Sequence, residues 1–173
     1  MRQHEISASM WIPVPAAQVY RTIADYQEGH PRILPKPPFV SLTVLKGGIG
    51  AGTEISFVMK VMGKLNTTRA VISEPEPGRV LVETTDSGII STFTVEPREK
   101  NRHAFVTIHT AMPVRNGLLG SSKAGRRRSY FSLLISASYI NCRKWPGSEW
   151  DERDEEGDRD DRVNRVDRDE SSE

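Results

Sequence analysis

Cysteine is almost missing from this sequence: Cys142 is the only one among 173 residues. No intrachain disulfide and no thiolate cluster for zinc or an iron–sulfur centre can form, and a reducing, cytoplasmic setting fits. Long apolar runs are missing too. None approaches the roughly 18 residues of a membrane span, and Met1, Arg2, Gln3, His4 and Glu5 stand where a secretory leader would turn continuously apolar. Histidine is scarce and badly spaced for metal work. His4, His30, His103 and His109 include no His-x-x-x-His pair, and His103 and His109 on one strand sit about 20 Å apart at ~3.3 Å per residue. No metal is expected. A Gly-x-Ser-x-Gly nucleophile elbow is absent, and Cys142 has no partner that would make it a nucleophile.

A dominant charge sign is lacking as well, since 24 Lys and Arg nearly cancel 23 Asp and Glu. That balance joins two unlike pieces. Residues 147–173 carry 13 acidic against 5 basic side chains, and residues 1–146 carry 19 basic against 10 acidic. In the last segment only Trp150, Val163 and Val166 are large and apolar, too little surface to offset the entropy of ordering a chain. The expected organisation is therefore one domain over residues 1–146 and a disordered charged tail over 147–173. Lys123 with Arg126, Arg127 and Arg128 invites a nucleic-acid reading. No aromatic interleaving, zinc finger or helix-turn-helix pattern accompanies them and the acidic tail would compete in cis, so no nucleic-acid partner is expected.

What the first two thirds do contain is period-2 alternation. Ile6, Ala8, Met10 and Ile12 alternate with Glu5, Ser7 and Ser9, which predicts a half-buried strand over residues 3–12. Pro13 and Pro15 end it and suit a helix start. Val19, Tyr20, Ile23 and Tyr26 then make one apolar stripe on a helix of about three turns. Gly29, Pro31, Pro35, Pro37 and Pro38 leave room only for a short turn of helix around residues 30–34. Six strands follow, over 39–46, 53–62, 65–73, 79–85, 89–96 and 102–112, separated by Gly, Pro and Asp clusters. The clearest sets Ile55, Phe57, Met59 and Val61 against Glu54, Ser56 and Lys60, so one face of the sheet is wet and the other covered.

The glycine stretch Gly47, Gly48, Gly50 and Gly52 superficially suggests a nucleotide loop. A phosphate loop needs a helix directly after it, and here a strand begins at Thr53. A flexible hairpin loop using positive φ is the reading adopted, and no cofactor is expected.

The ordered set Pro13-x-Pro15, Ala16-Ala17-Gln18-Val19-Tyr20, Asp25-Tyr26, His30-Pro31-x-x-Leu34-Pro35, Gly47-Gly48-x-Gly50-x-Gly52-Thr53 and Glu74-Pro75-Glu76-Pro77-Gly78-Arg79 resembles the START-like (SRPBCC, Bet v 1-like) superfamily, in its polyketide cyclase/dehydrase-type branch. The resemblance runs from residue 3 to about 120. It implies an α+β helix-grip fold: a curved seven-stranded antiparallel sheet, short N-terminal helices and a C-terminal helix enclosing an apolar cavity. Binding of a hydrophobic small molecule, such as a lipid or polyketide, follows as the expected function, and a polyketide cyclase or dehydratase is the alternative. Phe57, Met59, Val61, Phe93 and Val95 stand on the apolar side of their strands, where they either line such a cavity or simply fill the core. Tyr20 and His30 are the polar candidates for the ligand site, although the loop position of His30 makes a surface or capping role its more ordinary reading, and an enzyme would draw on His30, Tyr20 or His109. No catalytic motif carries over from the family, because its enzymes place their polar groups at different cavity positions. Oligomeric state is not readable.

The C-terminus departs from the family pattern. After Gly117-Leu118-Leu119-Gly120 a long amphipathic helix is expected, whereas residues 130–142 are apolar and Ser-rich without clear 3.6 periodicity. A change of reading frame near Ser121 accounts for this. Codons allowed by residues 121–125 and 137–145 spell family-like helix, including Glu-Leu, when read in one and the same shifted frame.

Overall fold

The computed structural model describes residues 3–61 and 63–113. The helix considered at 130–142, the charged tail and the frame change at Ser121 lie outside the described residues.

Seven strands form one antiparallel sheet: β1 (Gln3–Ile12), β2 (Phe39–Lys46), β3 (Glu54–Val61), β4 (Lys64–Glu76), β5 (Val80–Thr85), β6 (Ile90–Arg98) and β7 (His103–Pro113). Their spatial order is β1-β7-β6-β5-β4-β3-β2, so β2 to β7 run as a meander and the first strand closes against the last. The β1–β7 register is unbroken from Gln3 opposite Pro113 to Ile12 opposite Ala104. Period-2 alternation then decides what faces inward. Met10 and Ile12 are buried on β1, Ala104, Val106 and Ile108 on β7, Phe93 and Val95 on β6, Leu81 on β5, and Ala70 and Ile72 on β4. This inner face holds the core, and the curved sheet with its few helices is an α+β helix-grip fold.

Two helices cover part of that face. Helix α1 (Ala16–Ala24) begins after Pro15, which supplies a fixed φ and gives up no needed N–H there. Val19, Tyr20 and Ile23 form its buried stripe, packed against β6 and β7. The helix is shorter than the apolar stripe predicts. Asp25 leaves helical geometry at φ −90° and ψ 93° and forms an isolated bridge with Ile49, so Tyr26 reaches the core from the turn and not from the helix. The Asp25 carboxylate accepts the N–H groups of Gln27 at 3.0 Å, Glu28 at 3.1 Å and Gly29 at 3.2 Å, which starts the five-residue helix α2 (Gly29–Ile33).

The glycine stretch is the β2–β3 hairpin loop, as its positive φ values require, and it is tied down on several sides. Tyr26 donates its N–H to the Gly48 carbonyl at 2.8 Å, Gly50 to Ala24 at 2.9 Å, and Gly48 to the Thr53 hydroxyl at 3.0 Å. At Gly50, with φ 60°, an added Cβ would run into the Glu74 carboxylate. Glycine is needed there for conformation and for space. The loop thus acts as a strap across the end of α1.

Candidate functional site

Helix α1, helix α2 and the turn between them aim Tyr20, His30 and Tyr26 into the covered end of the sheet. Tyr20, on the buried stripe of α1, donates its hydroxyl to Glu74 Oε1 on β4 at 2.6 Å. The other carboxylate oxygen, Oε2, accepts the N–H of Ala51 in the glycine loop at 2.7 Å. One carboxylate therefore joins helix, sheet and loop. Burial, and then the Glu74 carboxylate that both accepts its hydrogen bond and repels a phenolate, push the Tyr20 hydroxyl well above the ordinary phenol range.

The second cluster lies deeper. Tyr26 donates to Glu83 Oε1 on β5 at 2.5 Å, a short charge-assisted bond. His30 stacks on the Tyr26 ring, with centroids 4.5 Å apart and planes 18° apart, and meets Phe93 edge-on at 6.0 Å. Its Nδ1 lies 2.7 Å from the Ile23 carbonyl oxygen. A carbonyl only accepts, so Nδ1 carries the hydrogen, and in the neutral ring Nε2 is left as an acceptor. That Nε2 is 3.6 Å from Glu83 Oε1, too long for a hydrogen bond and close enough for an ion pair once the ring is protonated. Only 2% of His30 is exposed, so it is no surface residue: the α2 turn carries it into the core.

The sequence-predicted residues separate into groups. Tyr20, His30, Phe93 and Val95 come together around α1, α2 and β6, all buried. Phe57, Met59 and Val61 share the inward face of β3 and are half-buried, with Phe57 packed against the core beside Leu42 and Val44 of β2. His109 does not join either group. On β7 the inward positions go to Ala104, Val106, Ile108 and Thr110, so His109 points to the outer face, where its Nε2 lies 3.6 Å from Glu5 Oε2. The strand's period of two removes it from the set of inner polar groups.

Sequence reasoning passed over Glu83, Glu74 and Tyr26 as functional groups. A signal for the two glutamates was present. Glu83 follows Leu81 and Glu74 follows Ile72 at the inward spacing of two, which makes each a carboxylate in core phase. Ser91 and Thr110 break the same rule on β6 and β7, and their hydroxyls meet at 3.0 Å.

A curved antiparallel sheet gripping two short helices, with a few polar groups set into an otherwise apolar inner face, defines a START-like protein. The family model for polyketide cyclase / dehydrase and lipid transport proteins matches residues 3–131, and the chain belongs to that family. Solved structures agree on the fold. The KanY protein, solved in solution by NMR, is 23% identical with a TM-score of 0.62 over 78% of this chain and 94% of its own. The Zhui aromatase/cyclase from Streptomyces sp. R1128 is 16% identical, TM-score 0.61, over 79% of this chain and 87% of its own. A START superfamily protein from Mycobacterium smegmatis is 12% identical, TM-score 0.56, over 78% and 95%. No curated protein matches the chain. Among the described residues no helix is long and apolar enough to cross a membrane, and no group of His, Cys, Asp and Glu could hold a metal ion.

Proposed function

We propose that the chain binds a hydrophobic small molecule against the inner face of its sheet. The observation that carries this reading is the uneven covering of that face. Under α1 and α2 it is sealed, with Ile12, Leu81, Phe93 and Val106 at 1% exposure or less. Towards β2 and β3 the same face still presents Leu42, Val44, Phe57, Met59 and Val61 only half-buried. A continuous apolar wall of this kind suits a ligand pocket, and Met59 suits a wall that adapts in shape. Tyr20 has its hydroxyl committed to Glu74 and contributes an apolar ring edge; His30 contributes the polar end. Membership of a family described for both polyketide chemistry and lipid transport supports the same reading. Native mass spectrometry of the purified protein tests it: a co-purified hydrophobic mass that leaves on organic extraction is expected, and a protein that neither retains nor takes up such molecules refutes it.

A second reading, a cyclase or dehydratase acting on a polyketide-like substrate, is favoured by one observation. His30, locked by Ile23 and Tyr26 with Nε2 towards Glu83, is arranged as a group that can exchange a proton at a fixed atom. Turnover of such a substrate that disappears in His30→Phe while ligand uptake persists would select this reading over simple binding.

A further inference from the structure

We infer that Glu83, with the Ser91–Thr110 hydroxyl pair beside it, is a polar station that takes a hydrogen-bond-donating hydroxyl on an otherwise apolar ligand and turns anionic ligands away. The inference rests on the ligand-binding reading above. Register sets the three side chains in one row: Glu83 pairs with Ser91 across β5 and β6, and Ser91 pairs with Thr110 across β6 and β7. With strands about 4.8 Å apart the row is roughly 10 Å long. The next inward row, two residues along each strand, is Leu81, Phe93 and Ile108, wholly apolar. On that side the polar row is bordered by apolar side chains.

Its hydrogen-bonding capacity is only partly spent. Glu83 Oε1 accepts from Tyr26, whereas Oε2 has no hydrogen-bond partner among the described residues, and the side chain keeps 13% of its surface open. Between Ser91 and Thr110 one O–H is shared, which leaves the pair a second O–H and free lone pairs. A part-buried carboxylate oxygen gains from a donor, so a ligand hydroxyl is the natural occupant of the space beside it. A ligand carboxylate would instead place two negative charges together. The row continues into Ile72 and Ile6 and holds no lysine or arginine to offset that repulsion; among the described residues the imidazole of His30, 3.6 Å from Glu83, is the group beside it able to carry positive charge.

Equilibrium dialysis of the full chain at pH 7.5 with 2-naphthol, 2-methylnaphthalene and 2-naphthoate separates these effects. The naphthol is expected to bind about tenfold or more tightly than the methyl compound, the advantage of a hydrogen bond to a charged acceptor, and the naphthoate more weakly than either. In Glu83→Gln the naphthol advantage falls several-fold and naphthoate gains, while 2-methylnaphthalene stays within about twofold, which shows that the pocket is intact. Ser91→Ala, which leaves Glu83 and Tyr26 in place, should lower the naphthol advantage alone and serves if Glu83→Gln fails to fold. Equal binding of naphthol and methylnaphthalene by the unaltered protein, or a ranking unchanged in both variants, overturns the assignment and leaves the ligand-binding reading standing. Binding of none of the three probes overturns both.

Discussion

Replacing Tyr20 with Phe removes one oxygen from the junction of α1, β4 and the glycine loop, and its cost depends on pH in a way a packing role would not. The Tyr20 hydroxyl donates to Glu74 Oε1 at 2.6 Å, and the Tyr20 residue is only 5% exposed. Hydrogen bonds to charged groups are worth about 1.5–3 kcal/mol. Glu74 is only half-buried and keeps its second bond, to Ala51, so about 1–2 kcal/mol is expected for Tyr20→Phe at pH 8. The folded-state pKa of Tyr20 is raised above its unfolded value near 10. Its contribution is therefore fully present below pH 10 and is lost as pH climbs from there towards the folded value, by up to about 1.4 kcal/mol per pH unit. The variant has no phenol at this position and escapes that loss, while the other tyrosines titrate in both proteins and cancel. Urea unfolding followed by circular dichroism at pH 8, 9, 10 and 11 reads the difference directly. The gap between the two proteins should hold constant up to about pH 10 and close by roughly one kcal/mol at pH 11. A gap that is absent at pH 8, or that stays the same through pH 11, refutes the assignment of Tyr20 as a buried donor to Glu74.

Other outcomes follow from single contacts. Gly50→Ala drives a Cβ into the Glu74 carboxylate at φ 60°, whereas Gly63→Ala, at φ 79°, meets nothing within 4 Å; Gly63→Ala should cost about 1 kcal/mol of backbone strain and Gly50→Ala clearly more, by urea midpoints. Phe93→Ala empties a site 1% exposed beneath His30 and should cost about 3–5 kcal/mol. His109→Ala changes a side chain on the outer face, so it should leave hydrophobic-probe affinity unchanged in the dialysis assay. The nucleotide sequence of the gene checks the frame change at Ser121: an open shifted frame spelling an amphipathic helix is expected, and one broken by stop codons disposes of it.

Strand identity was legible because each strand keeps its phase. Ile55, Phe57, Met59 and Val61 read as one face from their spacing, and β3 places them on one face. Loop chemistry was legible for the same local reason, since the glycines between β2 and β3 adopt the positive φ that only glycine adopts freely. What escaped the sequence was everything set by two distant segments at once. The extent of α1 depends on Asp25 bridging Ile49, and the tether on the glycine loop depends on Glu74, 23 residues beyond Ala51.

The candidate site belongs to that second kind, and the two histidines considered for it show the difference. His30 sits in a Pro-flanked turn whose local sequence says nothing of depth; its burial comes from Tyr26 stacking on it and from the Ile23 carbonyl seven residues before it. His109 lies on a strand, where phase alone assigns the face, and counting from Val106 and Ile108 already sends it outward. The same count applied to β5 sends Glu83 inward beside Leu81. A carboxylate in core phase is costly unless something bonds to it, so its partner had to be sought among the donors of the covering helices and their turn. Tyr26, the residue just past the C-cap of α1, is that partner. In a sheet with one covered face, charged residues in apolar phase therefore mark a candidate site more sharply than histidines chosen by residue type.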